Sequence, residues 1–223
     1  MQKELITYLS DFITEERNRK LKEVIQHRTR FITVVLEDLY QTQNISAVMR
    51  TCECFGVQDV HIIEKENDFQ IHSAISMGAN KWLNLYNYKN NHDNIRECIK
   101  NLKNKGYQII ATVPSEQSIS IHELALDTPM AFCFGTELTG LSNEIVDMAD
   151  QCVRIPMYGF TESFNISNSV AIILSYFIEK IKKENINWTL SEAEKEILYF
   201  EWLQKSIKES SLIIDKYLEA RNL

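Results

Sequence analysis

An α/β fold with a parallel sheet covered by helices on both faces is what this sequence predicts, and three observations carry the prediction. Short apolar, β-rich runs recur along the chain. They are too uniformly apolar to leave one face in water, as the strands of a buried parallel sheet are. The stretches between them have the length and periodicity of crossover helices, which parallel strands require. With 223 residues, 44% of them hydrophobic and 25% charged, the chain can close one sizeable core.

Taken in order, the chain opens with a cationic segment. Between Arg17 and Arg30 six basic residues (Arg17, Arg19, Lys20, Lys22, Arg28, Arg30) face one acid, Glu23, a local charge of +5 that leaves −12 elsewhere in a net charge of −7. Such a segment is either the solvated face of an amphipathic helix or a contact for a polyanion. The first strand is Ile32–Leu36. A helix follows over 45–54, with Ile45, Val48, Met49 and Cys52 as its apolar stripe, Asn44 as its N-cap and Gly56 just past its end. Val60–Ile63 is a strand, 71–77 and 94–104 are helical, and Gln108–Val113 and Ala131–Phe134 are strands. Ser142 caps a helix over 142–150, Cys152–Ile155 is the last strand, and Val170–Phe177 belongs to the next helix. Beyond Ile181 two helical patterns, 191–205 and 207–220, carry Leu198, Trp202, Leu203, Leu212, Ile213 and Tyr217. Those apolar stripes must be covered, by the body of the same chain or at a subunit interface. The division expected is a basic helical extension (1–30), a central domain (31–183) and a C-terminal helical extension (184–223).

Several functions are disfavoured. No apolar run approaches the roughly 20 residues that span a bilayer, and Met1-Gln-Lys-Glu-Leu lacks a signal-peptide pattern, so a cytoplasmic protein without membrane contact is expected. The five cysteines form no C-x-x-C and the five histidines no H-x-x-x-H, so neither zinc nor a disulfide is expected. The six glycines never occur as G-x-G or in a P-loop pattern, which argues against dinucleotide dehydrogenases, Rossmann-type methyltransferases and P-loop enzymes. Three of the six lie between 135 and 159, which places any cofactor loops there.

Three constellations carry chemistry. In Asn44-Ile-Ser-Ala-Val-Met-Arg50, Arg50 lies off the apolar stripe, as either a solvated arginine or a guanidinium aimed at a phosphate or a developing oxyanion. In Phe134-Gly-Thr-Glu137-Leu-Thr-Gly-Leu-Ser142, a buried strand ends in a loop with one carboxylate, either solvated or orienting a ligand at the edge where open α/β sheets bind. In Ile155-Pro-Met-Tyr-Gly-Phe-Thr-Glu-Ser163-Phe-Asn165-Ile-Ser167, an apolar strand becomes a polar loop and then a helix within thirteen residues, bringing small donors and acceptors to a helix start. By itself this is a site or a well-capped helix.

In this order the three patterns, N-x-x-A-x-x-R-x-x-x-x-F-G, F-G-x-E-x-x-G-L-S and I-P-M-x-G-x-x-x-S-F-N-I-S, resemble the SpoU/TrmH branch of the SPOUT RNA methyltransferases, over roughly Phe31 to Lys180. The basic N-terminal helix and the C-terminal helical pair with Glu201-Trp202-Leu203 are similar to the TrmH subgroup. The resemblance implies an S-adenosyl-L-methionine-dependent 2′-O-ribose methyltransferase acting on RNA, most naturally guanosine 18 of the tRNA D-loop, as a homodimer with a C-terminal trefoil knot. Ribosomal RNA, another tRNA position, or a silent RNA-binding relative are the alternatives. It also implies cofactor contacts at Thr112, Gly135, Ile155, Met157, Phe164 and Asn165. Arg50 becomes the catalytic candidate, with Asn44, Glu137, Ser163 and Asn165 shaping the site. RNA would meet Arg17, Arg19, Lys20, Arg28 and Arg30. Two positions depart from the pattern: Phe164 stands where relatives have leucine, and Asn168-Ser169 where they tend to have small apolar residues.

Overall fold

The computed structural model describes residues 1–67, 69–89, 93–184 and 186–221. In chain order the helices are α1 (Gln2–Ser10), α2 (Glu15–Ile25), α3 (Thr42–Cys54), α4 (Ser73–Ser76), α5 (Asn94–Asn104), α6 (Asn143–Met148), α7 (Ile166–Lys183), α8 (Glu192–Ser206) and α9 (Ser210–Ala220). The strands are β1 (Ile32–Glu37), β2 (Asp59–Ile63), β3 (Asn84–Tyr88), β4 (Gln108–Thr112), β5 (Ile119–Ser120), β6 (Met130–Phe134) and β7 (Gln151–Arg154). They form two compact units, residues 29–188 and residues 1–28 with 189–221.

In the larger unit the described strands make one seven-stranded sheet in the order β3-β2-β1-β6-β4-β7-β5, and the pairs are parallel throughout. Strand alternation divides the core in two. Ile32, Val34 and Leu36 of β1, with Val60, Ile62, Ile110 and Phe132, face α3 and α7. Val35, Ile63, Ile109, Ala131 and Cys133 face Ile95, Cys98, Ile99 and Leu102 of α5 and Ile145 of α6. Both faces are therefore covered, as the apolar runs require. All five expected strands are present, within a residue or so at each end.

The two strands that the sequence pattern does not reveal are β3 and β5, and they are the sheet's two edges. An edge strand needs no continuous apolar run, and Asn-Leu-Tyr-Asn-Tyr is interrupted by two asparagines and only partly buried. Three helix expectations are corrected. The 71–77 segment holds only the single turn α4 before a 3₁₀ turn at Ala79–Trp82. The last helix of the unit begins at Ile166 rather than near Val170, because the Asn165 side chain caps it. Asn44 does not cap α3, which starts two residues earlier after Gln41; its amide is engaged elsewhere. Gly56, at φ 76°, does end that helix, and the Val57 N–H returns to the Cys52 carbonyl at 3.0 Å.

In the smaller unit, Leu5 and Leu9 of α1, Leu21 and Ile25 of α2, and Leu198, Tyr199, Trp202 and Leu203 of α8 are buried together. The Tyr199 hydroxyl donates to Asn18 Oδ1 at 2.5 Å, and α8 is opened by a capping box between Ser191 and Glu194. The apolar stripe of α8 is thus covered by the N-terminal helices of its own chain. In α9, Tyr217 stacks on Tyr8 at 4.5 Å while Leu212 stays exposed.

A polar cluster lies in the larger unit on the α5 face. Asp59 is ion-paired with Arg30 at 3.0 Å, and burial raises its carboxyl pKa. His61 stacks on Tyr86 with centroids 4.8 Å apart, and its Nδ1 lies 3.1 Å from the Tyr88 hydroxyl. Burial, with Lys105 nearby, pushes the imidazole down to about 4. A depressed imidazole is neutral in the fold and charges first in the unfolded chain, so stability present above pH 6.5 is lost as the pH falls towards about 4. His61→Phe is expected to remove up to about 3 kcal/mol of that fall, measured as a flatter dependence of urea-unfolding stability on pH between those limits.

Candidate active site

The cleft forms where β4, β6 and β7 end, at the carboxyl edge where open α/β sheets place their ligands. Its volume is about 520 Å³, and Thr112, Phe134 and Arg154 at the strand ends line it together with the loops that follow β6 and β7. That size is ordinary for a small-molecule site.

One wall is the loop after β6. Thr136 and Gly140 exchange both backbone hydrogen bonds, at 3.1 and 3.0 Å, closing the loop on itself. Gly140 sits at φ 68°, and the Thr136 and Thr139 hydroxyls lie 2.8 Å apart inside the turn. Gly135 has no freedom to carry a side chain: a Cβ there would stand 2.0 Å from the Gly140 carbonyl oxygen. The opposite wall is the irregular segment after β7, from which Ile155, Met157, Ser163 and Phe164 line the cleft. Tyr158 and Phe160 of the same segment point fully into solvent.

A hydrogen-bonded relay joins the two walls. The Asn165 Oδ1 accepts the Ser167 N–H at 2.9 Å and the Ser167 hydroxyl at 2.6 Å, capping α7, while its Nδ2 donates to Asn44 Oδ1 at 3.0 Å. Asn44 in turn donates through Nδ2 to Glu137 Oε1 and, at 2.6 Å, to Gln41 Oε1. The donors run one way, from the helix cap to the carboxylate. An aspartate at 165 would still cap the helix but would set a second acceptor against Asn44 Oδ1 with no proton between them, which explains the amide.

The relay brings together Asn44, Glu137 and Asn165, the three side chains expected from three separate motifs. Thr112, Gly135, Ile155, Met157, Ser163 and Phe164 all line the cleft. The Thr112 hydroxyl donates to the Cys133 carbonyl at 2.7 Å, so it ties β4 to β6. Asn165 acts through its cap and does not line the cleft. Arg50 lies on the exposed side of α3, outside the cleft of its own chain, with no ion pair or hydrogen bond among the described residues. Of the expected RNA-contacting residues, Arg17, Arg19 and Lys20 are exposed on α2. Arg28 corrects that expectation: it is buried, with its guanidinium 5.5 Å from the Trp202 ring centre. Arg30 is largely withdrawn as well, by its ion pair with Asp59.

Two residues escaped the sequence reading. Glu37 and Asp38, at the end of β1, are both hydrogen-bonded to backbone N–H groups of neighbouring loops. A charge ending the otherwise apolar run Ile32–Leu36 is the signal that could have marked Glu37. Among the described residues no group of His, Cys, Asp and Glu could hold a metal ion, and no helix is long and apolar enough to cross a membrane.

Residues 31–175 match the SpoU rRNA Methylase family. The chain is 42% identical to the tRNA (guanosine(18)-2′-O)-methyltransferase of Borreliella burgdorferi over 93% of this chain and 94% of that one. It is 34% identical to the enzyme of the same name from Thermus thermophilus, over 72% of this chain and 81% of that one. In three dimensions it is similar to the A. aeolicus TrmH/SpoU tRNA modifying enzyme, with a TM-score of 0.78 at 30% identity, over 87% of this chain and 98% of that one. The SpoU methyltransferase AviRb of Streptomyces viridochromogenes, solved in complex with AdoMet, shares the fold with a TM-score of 0.61 at 20% identity, over 73% of this chain and 65% of that one.

The two glycines of the walls give a matched test of the geometry. Gly135→Ala is expected to cost about 2 kcal/mol or more, a fall in melting temperature of roughly 4 °C or greater. Gly159→Ala, where an added Cβ meets nothing within 4 Å, should leave the melting temperature nearly unchanged.

Proposed function

This chain belongs to the SpoU methylase family, and from that premise we propose that its cleft binds S-adenosyl-L-methionine and that the protein methylates the ribose 2′-hydroxyl of guanosine 18 in tRNA. It is an S-adenosylmethionine-dependent RNA 2′-O-methyltransferase. The observation that carries the reading is the relay Asn165–Asn44–Glu137, which assembles residues of three separated motifs beside a cleft of fitting size.

The residues present fit the cofactor. Ile155, Met157 and Phe164 offer apolar surface for a flat base, and the backbone around Gly135 offers polar groups close by because no side chain can stand there. When bound, S-adenosylmethionine supplies an activated methyl group. The chain's own part is positioning and charge. Arg50 cannot serve as a base, since a guanidinium stays protonated at any physiological pH. Its fork stabilises the oxyanion that develops on the ribose, or grips the neighbouring phosphate so that phosphate or water takes the proton. Glu137, held by Asn44, fixes the wall against which the substrate is placed, and Ser163 offers a hydroxyl at the same cleft.

Arg50 lies outside its own chain's cleft, and Leu138, Tyr158 and Phe160 are exposed around that cleft. Both features support a homodimer in which a second copy completes the site. The C-terminal trefoil knot, the division into residues 1–30, 31–183 and 184–223, and a cytoplasmic location belong to the same reading. The exposed cations Arg17, Arg19 and Lys20 are assigned to the tRNA backbone.

Incubation with labelled S-adenosylmethionine and unmodified tRNA transcripts, with the product mapped by nuclease digestion and mass spectrometry, tests the assignment. A single 2′-O-methyl group at the D-loop guanosine is expected. Transfer only to ribosomal RNA or to another tRNA position would replace the target, and cofactor binding without transfer to any RNA would indicate a silent relative. Arg50→Lys keeps the charge and loses the fork; turnover should fall by about a hundredfold with cofactor affinity retained, and near-normal turnover would refute the role given to Arg50. Replacing Arg17, Arg19 and Lys20 together by Glu should weaken tRNA binding and flatten its dependence on salt, with the slope of log K against log salt falling by roughly two to three.

A further inference from the structure

Glu37 stands apart from the relay and is 3% exposed. Strand alternation turns it to the α6 face, the face of Val35, while its neighbour Leu36 pairs in register with Phe134. Its Oε2 accepts the Ser142 N–H at 2.8 Å, and Lys65 Nζ lies 2.7 Å from its Oε1. Lys65 is delivered there by the next carboxylate. Asp38, at φ 53°, accepts the N–H groups of Lys65, Glu66 and Asn67 at 2.9, 2.9 and 3.0 Å and folds that loop around itself. The strand therefore ends in two carboxylates with separate tasks.

Burying a carboxylate costs desolvation that an apolar residue of the same length would avoid, so Glu37 is explained by the bonds it makes rather than by the volume it fills. The bond to Ser142 has a definite mechanical meaning. The loop after β6 is closed on itself by the Thr136–Gly140 pair and by the close approach at Gly135, so its shape is fixed from within. It is held at its start by the sheet and at Glu137 by Asn44; at its exit it is held by Glu37.

We propose that Glu37 is a positioning residue for the cofactor, setting through the Ser142 N–H where the wall Gly135–Leu141 stands against the Ile155–Phe164 wall. The inference rests on the reading of the cleft as the S-adenosylmethionine site. Glu37→Met fills the same space without an acceptor, and Glu37→Gln restores a carbonyl oxygen for Ser142. S-adenosylmethionine affinity by calorimetry and tRNA affinity by filter binding are measured for wild type and both variants.

The expected result is a loss of about tenfold or more in S-adenosylmethionine affinity for Glu37→Met, with tRNA affinity within about twofold, and recovery to within about threefold of wild type in Glu37→Gln. Unchanged cofactor affinity in Glu37→Met, an equal loss of both ligands, or a Gln variant as weak as Met would overturn it. If wild type itself does not bind S-adenosylmethionine, the reading of the cleft fails and the inference falls with it. Should Glu37→Met fail to fold, amide exchange in wild type decides. A Ser142 amide that exchanges slowly, and slower still with S-adenosylmethionine, supports the proposal; one that exchanges at the unprotected rate refutes it.

Discussion

Asn44 gives both of its functional atoms to other segments: its amide hydrogens go to Glu137 and Gln41, and its carbonyl oxygen receives the Asn165 amide. Three stretches that lie far apart in the chain thus share one side chain, and the cleft's geometry follows from it. Asn44 itself is buried, so an unmade bond there would leave a desolvated amide without return. The direction of donation is fixed as well. Asn165 must offer its oxygen to the start of α7, which leaves only its nitrogen for Asn44, and Asn44 must then offer nitrogen to the carboxylate. A chain of amides ending in an acceptor tolerates only one orientation at every step.

The sheet explains why such a relay can be held steady. Strands β1, β6 and β4 are buried on both faces and paired on both edges, so their carboxyl ends are among the stiffest points of the molecule. One wall of the cleft leaves from the end of β6, and the other from the end of β7, which pairs with β4. They carry little regular structure of their own and are fixed instead by specific contacts: a glycine that permits contact with the Gly140 carbonyl, a helix cap, and carboxylates bonded to backbone N–H groups. Rigid strands with individually pinned loops are a common basis for binding sites, because precision comes from the scaffold and chemistry from the loops.

Charge is distributed with the same economy. The chain is acidic as a whole, and its exposed cations on α2 are a small minority. An acidic body repels a polyanion except where local cations face it, which favours one docking orientation over many. Several other cations are already engaged: Arg28 over the Trp202 ring, Arg30 by Asp59, and Lys65 by Glu37. Counting basic residues along a segment therefore overstates the number available to a ligand.

The sequence by itself determined the parallel sheet, its five inner and near-inner strands, most of its helices, and the two motifs that supply much of the cleft's lining. Apolar runs and helical periodicity are local consequences of burial, and the three motifs are local spacings, so both can be read without knowing what touches what. Only the tertiary structure decided that Asn44 links two loops rather than capping its own helix, that β3 and β5 complete the sheet edges, that Arg28 is buried, that α8 is covered by helices from the other end of the chain, and that Glu37 accepts the Ser142 N–H. Each of these depends on a contact between residues distant in sequence. A side chain's partner is set by how the chain closes in space, and its position along the chain leaves that undetermined.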